Sequence, residues 1–199
     1  MILFVGPLPP PVHGFSVINA AMLARCQAAS RVAVFNRAPV ARSGALAGVA
    51  ALAAGAERLL AFFLTLLRER AASSVYIAIS GGLGQLKDWP YLLLARLLRR
   101  PVVVHHHSFA YLRRAPWHAR LVLACARQAR HIVLCDCMAA ALADLYRVPR
   151  ERIAVLSNAA FLEPAGPAPQ APQAPPTTGP GAVLRIGFLS NITQDFDYV

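Results

Sequence analysis

The chain has 199 residues, 57% of them hydrophobic, with 20 basic side chains against 9 acidic ones and a formal net charge of +11. That is room for one well-buried domain and the start of a second, and no apolar stretch runs far enough without charge to predict a membrane span. Every basic residue but Lys87 is an arginine, placed in ones and twos without aromatic interleaving, which disfavours nucleic acid; the charge suits phosphates or acidic lipid, or reflects the codon bias of a GC-rich genome.

Ile2 to Val5 is a short apolar run that reads as a strand. It feeds a loop with four prolines and two glycines, and then Ser16 to Ala28, apolar at helical spacing. Strand, special loop and helix open a Rossmann-like domain, whose ligands sit beyond the carboxyl ends of the strands. Met1 leads directly into that strand with no secretory signal, which points to a cytoplasmic protein, one able to sit at the inner face of a membrane. The loop lacks the three glycines of a dinucleotide fingerprint, and no G-K-[ST] occurs anywhere, so NAD and a triphosphate P-loop are both disfavoured. Two readings of the loop stay open. Either it is a rigid surface turn with Ser16 as N-cap, or it delivers His13, Gly14 and Ser16 to a helix N-terminus that holds an anion.

Val32 to Phe35 is a second strand, ending at Asn36 and Arg37 where a nucleotide-cofactor enzyme would carry an acid for the ribose. Pro39 to Gly44 reads as loop and Leu46 to Ala72 as a long helix, whose Glu57 and Arg58 argue for a buried or surface-lying element rather than a spanning one. Val75 to Ile79 is the third strand, opening into a glycine-rich flexible loop, Ser80 to Gly84. Trp89 to Leu98 is helical, and Val102 to Val104 is a fourth strand that ends in His105, His106 and His107. Alternation sends His105 and His107 to one face and His106 to the other, so at least one is a packed sheet residue. Trp117 to Ala129 (helix), Ile132 to Leu134 (strand), Met138 to Tyr146 (helix) and Ile153 to Leu156 (strand) complete the set. Strands that are apolar throughout and alternate with helices predict a doubly wound parallel sheet covered on both faces.

The cysteines, Cys26, Cys125, Cys135 and Cys137, lack zinc spacing and read as reduced thiols used as small hydrophobes; no metal is expected. Glu163 to Ala182 is a proline-rich tract, read as a semi-rigid linker, and Leu184 to Leu189 as a fresh strand. The expected organisation is a Rossmann-like domain over 1–162, a linker over 163–182 and the first strand of a further domain over 183–199.

The first loop, VVVHHHS, HIVLCDCMAAALADLYRVPRERIAVLSNAAF and the restart LRIGFLSN together resemble the amino-terminal half of family 4 retaining glycosyltransferases. The stretch that in the family reads Ser-Glu, a helix, Tyr-Gly, a Pro and a strand ending in Pro-Asn-Gly is matched by Cys135 and Asp136, Tyr146 and Arg147, Pro149, and Ser157 to Ala159. The resemblance implies two facing Rossmann-like domains (the GT-B arrangement), a nucleotide-sugar donor, a sugar or lipid-linked acceptor held mainly by the amino-terminal domain, and transfer with retention and without an obligatory metal. It places Gly14 where backbone N–H groups approach the donor phosphate, and His107, before Ser108, on the histidine that lines the sugar site. His105 and His106 are expected to be structural, and Asn158 to make a turn contact near the hinge. The long helix, with Arg58, Arg68 and Arg70, is a candidate for resting on an anionic membrane, against the alternative of a solvated face. Retention through paired carboxylates finds no support in Asp88, Asp136, Asp144 and Glu163. The family's basic phosphate ligand and its two glutamates would lie past Val199, so the expectation is a truncated acceptor-side half, inactive alone. A non-catalytic module or gene remnant that binds an anion or a lipid is the competing reading, and a nicotinamide oxidoreductase a weaker third.

Overall fold

The computed structural model describes residues 1–38, 47–69 and 74–161. The expected loop at 39–44, the outer ends of the 46–72 helix, including Arg70, and the expected linker and final strand lie outside them.

Six strands, β1 (Ile2–Gly6), β2 (Val32–Asn36), β3 (Ser74–Ile79), β4 (Val102–His106), β5 (Arg130–Val133) and β6 (Ile153–Val155), form one sheet in the order β2-β1-β3-β4-β5-β6. Every pairing is parallel. The helices are α1 (Gly14–Ala29), α2 (Ala47–Arg68), α3 (Trp89–Leu97), α4 (Ala110–Arg113), α5 (Trp117–Ala126) and α6 (Asp136–Tyr146). The α/β Rossmann-like, doubly wound class is therefore the fold of the described residues.

Right-handed crossovers dictate the layering. From β1 the chain steps outward to β2, and from β2 onward it steps only the other way, so α1 falls on one face and α2 to α6 on the opposite one. The larger core joins Leu3, Val5, Val75, Ile77, Ile79 and Val104 of the sheet to Phe62 and Leu66 of α2, Leu92 of α3, Val122 of α5 and Leu142 of α6. Phe62 meets Phe35 edge-on at 5.2 Å and Tyr91 at 5.0 Å, which fixes α2 to the domain by one side. On the other face Phe4, Tyr76 and Ala78 pack against Met22 of α1, with Leu156 and Phe161 alongside. Phe161 lies under the Arg25 guanidinium, 4.6 Å from its ring centre, and the Arg25 side chain donates to the Ala160 carbonyl, so the turn Asn158–Phe161 closes over α1.

The chain reverses its winding direction between β1 and β3, and beyond their carboxyl ends an open α/β sheet leaves a crevice. Gly6 makes the close approach there possible: a Cβ would stand 3.2 Å from that of Ala78 and 3.3 Å from Asn19 Nδ2. Two expectations are corrected near this edge. The fourth strand runs on through His105 and His106, because both imidazoles are fully buried and partnered on the sheet. The expected flexible loop after β3 is a 3-10 helix, Gly82–Lys87, with Gly82 at φ 54° and Gln85 fully buried.

Candidate functional site

The first loop leads from β1 into α1, and its backbone is held by side chains. Asn36 Oδ1 accepts from Leu8 N–H at 3.0 Å and Ala38 N–H at 2.9 Å, and the buried Asn19 donates to the Pro7 carbonyl at 3.0 Å. The helix begins at Gly14, two residues before the expected start, and its N-cap is His13 rather than Ser16. His13 Nδ1 accepts from Ser16 N–H at 3.1 Å while Ser16 Oγ accepts from His13 N–H at 3.0 Å, a reciprocal capping box with an imidazole in place of the usual hydroxyl. Ser16 is fully buried and its hydroxyl also donates to the Pro11 carbonyl at 2.8 Å, so it shapes the loop from within.

An α-helix leaves its first four N–H groups unbonded within itself. Here Ser16 N–H goes to His13 Nδ1 and Val17 N–H to the His13 carbonyl, which leaves those of Gly14 and Phe15 without a partner among the described residues. Gly14 is exposed, and a Cβ built on it meets nothing within 4 Å. The positive end of a 16-residue helix thus opens at the carboxyl edge of β1 with its backbone bare.

His107 follows β4 at the same edge. Its ring lies 4.7 Å from that of Phe15 and 4.0 Å from that of His105, and it is half-buried. Burial, reinforced by His105, pushes the His107 imidazole down to about 3, so it is neutral at pH 7. The Nε2 atoms of His107 and His105 are both buried without a hydrogen-bond partner among the described residues. Buried polar atoms of this kind are rare and call for a ligand or water. Ser108, next in the chain, is half-buried; its Oγ accepts from Ala110 N–H at 3.2 Å and stands 3.1 Å from where a Cβ on Gly81 would be.

His106 and His131 are paired within the domain. His131 Nε2 faces the Ala126 carbonyl at 3.1 Å, which can only accept, so His131 Nδ1 accepts from His106 Nε2–H at 2.9 Å and His106 Nδ1 accepts from the Tyr111 hydroxyl at 2.8 Å. Tyr146 O–H donates to the Tyr111 carbonyl at 2.5 Å. This chain of neutral groups ties β4, β5, α4 and α6 together. Desolvation holds His106 well below its ordinary value and His131 at about 4.

A second opening is a cavity of about 270 Å³ lined by Gly82, Ala110, Tyr111, Arg114, Pro116 and His118, from the segments that follow β3 and β4. His118 Nδ1 lies 3.1 Å from the Oε1 of buried Gln85, so His118 donates there. Leu83, Phe109 and Trp117, next to the lining residues in the chain, are 66%, 43% and 65% exposed. Sequence reading missed this cavity, because its walls come from four separate segments, the 3-10 helix, α4, the connection after it and the start of α5, whose approach no local pattern encodes.

The residue in the ribose-acid position, Arg37, turns inward. It forms a buried ion pair with Asp88 and donates to the Ala78 carbonyl at 3.2 Å, while Asp88 also accepts from Ser80 N–H at 2.7 Å. Burial pushes the Asp88 carboxyl above its ordinary value against the opposing pull of Arg37. The pair locks the segments after β2 and β3 together at the crevice. Asn158 begins the final 3-10 turn, with its Oδ1 buried. One cysteine departs from expectation: Cys137 is exposed, so it is no core hydrophobe.

No protein-family model matches the chain, and no curated protein does.

Proposed function

We propose that this domain is the acceptor-side half of a retaining glycosyltransferase that uses a nucleotide-sugar donor. One observation carries the reading: the bare N-terminus of α1 at Gly14 and the neutral, half-buried His107 meet through Phe15 at the carboxyl edge of a parallel sheet. Free N–H groups at the positive end of a helix suit a diphosphate. A neutral imidazole with an unpaired nitrogen suits a sugar hydroxyl, which it can bind without adding charge. Ser108 and His13 flank these groups, and Ser16 keeps the loop in shape.

The cavity after β3 and β4 is the acceptor site in this reading. Arg114 supplies charge to an anionic group, and Leu83, Phe109 and Trp117 supply apolar surface, a combination that fits a lipid-linked acceptor better than a free sugar. The outer side of α2 supports the same choice. Val49, Leu52, Leu60 and Leu64 are 67%, 76%, 57% and 40% exposed and fall on one stripe of the helix. Gly48–Arg68 is long and apolar enough to cross a membrane, yet Phe62 and Leu66 bind it to the core, so it would lie in the plane of an anionic membrane.

That same stripe favours the second reading, a non-catalytic module that binds lipid. Titration of the purified chain with nucleotide sugars, with lipid-linked sugars in detergent, and with anionic vesicles separates the two. The transferase reading predicts a response to donor or acceptor that His107→Ala weakens. Vesicle binding with no such response would leave the module.

A further inference from the structure

Cys135 and Cys137 belong to nothing described above. Cys135 is the N-cap of α6 and Cys137 its second residue; their sulfurs are 2.7 Å apart, both thiols are free, and Cys137 is exposed. They follow β5, on the same sheet edge as His107; Cys135 is half-buried, as Cys26 and Cys125 are, but those two lie in other elements without a neighbouring thiol. No group of three or more His, Cys, Asp or Glu able to hold a metal occurs among the described residues. What stands at this helix end is a pair of adjacent thiols, one of them open to solvent.

We propose that Cys135 and Cys137 are an oxidisable dithiol that closes by exchange with low-molecular-weight disulfides. The Cys135 thiolate attacks one sulfur of a disulfide RS–SR, giving a Cys135–SR mixed disulfide and releasing RS⁻. Cys137 then gives its proton to solvent and attacks the Cys135 sulfur, closing the Cys135–Cys137 bond and expelling the second RS⁻. Two protein thiols are oxidised and one RS–SR is reduced to two RSH.

The surroundings assign the order of attack. The hydrogen bond shared with the Cys137 sulfur holds the Cys135 thiol below the ordinary range, against the smaller opposition of burial and Asp136. The same pairing holds Cys137 above that range. A thiolate at the positive end of a helix is the better nucleophile at neutral pH, and the neighbouring thiol resolves the adduct.

The test is a redox titration of the full chain in mixtures of reduced and oxidised glutathione, quenched by alkylation and mapped after trypsin. Cleavage at Arg130 and Arg147 places both cysteines in one peptide, His131 to Arg147, and leaves Cys26 and Cys125 in two others. The expected result is that this peptide loses two hydrogens and resists alkylation under oxidising conditions, reverting on reduction, while the other two remain alkylated throughout. Cys137→Ser should trap glutathione on Cys135, faster than Cys135→Ser traps it on Cys137. Separate glutathione adducts on both sulfurs without the two-hydrogen loss, or no reaction, would overturn the dithiol. Equal rates in the single variants would overturn the order of attack.

Discussion

The ring of His107 packs on that of Phe15 at 4.7 Å, which joins the residue after β4 to the first turn of α1 across the intervening strand β3. The imidazole proposed to meet a sugar and the helix end proposed to meet a phosphate are thereby held as one unit.

Gly14 tests the phosphate end of that unit. A side chain placed there meets nothing within 4 Å, so Gly14→Val keeps the fold but covers the bare N–H groups. Calorimetric titration with a nucleoside diphosphate sugar should show affinity reduced about tenfold or more, the equivalent of one charge-assisted hydrogen bond. Thermal unfolding should stay close to that of the parent chain.

Acid should unfold the protein through its histidines. His105 and His131 stand at about 4 and His107 at about 3 in the folded chain, all lowered mainly by burial, against an ordinary value of 6.5. Below pH 6.5 the unfolded chain therefore binds more protons than the folded one, and stability falls as pH falls. The urea midpoint should be flat above about pH 7 on this account and should drop steeply between pH 6.5 and pH 4. Asp88, raised by burial, acts in the opposite sense at the acid end but is one group against several.

Arg37 and Asp88 should behave as a coupled pair. Arg37→Met leaves a fully buried carboxyl with no cation and should cost about 3–5 kcal/mol by urea denaturation. Adding Asp88→Asn removes the stranded charge while keeping an acceptor for Ser80 N–H, so the double variant should be more stable than Arg37→Met alone.

Arg147 caps α6 in the left-handed conformation, at φ 57°, on the position matched to glycine in the family resembled. A side chain is strained there and glycine is not. Arg147→Gly should raise stability by about 1 kcal/mol, read from the same denaturation curves.

β1 and β3 were legible because each is a short apolar run with little exposure on either side, which leaves no alternation to confuse the reading, whereas β5 begins at Arg130, two residues before its apolar run. Their order in the sheet was not, since Ile2 and Ser74 pair over a separation no local pattern encodes. His13 was missed as the N-cap because capping boxes usually place the hydroxyl first, and here Ser16 comes third after an imidazole. The position of His107 at the end of an apolar strand was legible, but its contact with Phe15 was not, nor was the ion pair between Arg37 and Asp88. The glycines of Gly82 to Gly84 suggested mobility, yet buried Gln85, bonded to His118, pins that segment.

The most direct test of the central claim is amide chemical-shift mapping of the isotope-labelled chain with a nucleoside diphosphate sugar and, separately, a polyprenyl-phosphate-linked sugar in detergent. The account predicts that the donor moves the Gly14 and Phe15 amides and that the acceptor moves those from Tyr111 to His118, with His107 responding to both. Shifts confined to the amino ends of the strands, or none with either ligand, would contradict it.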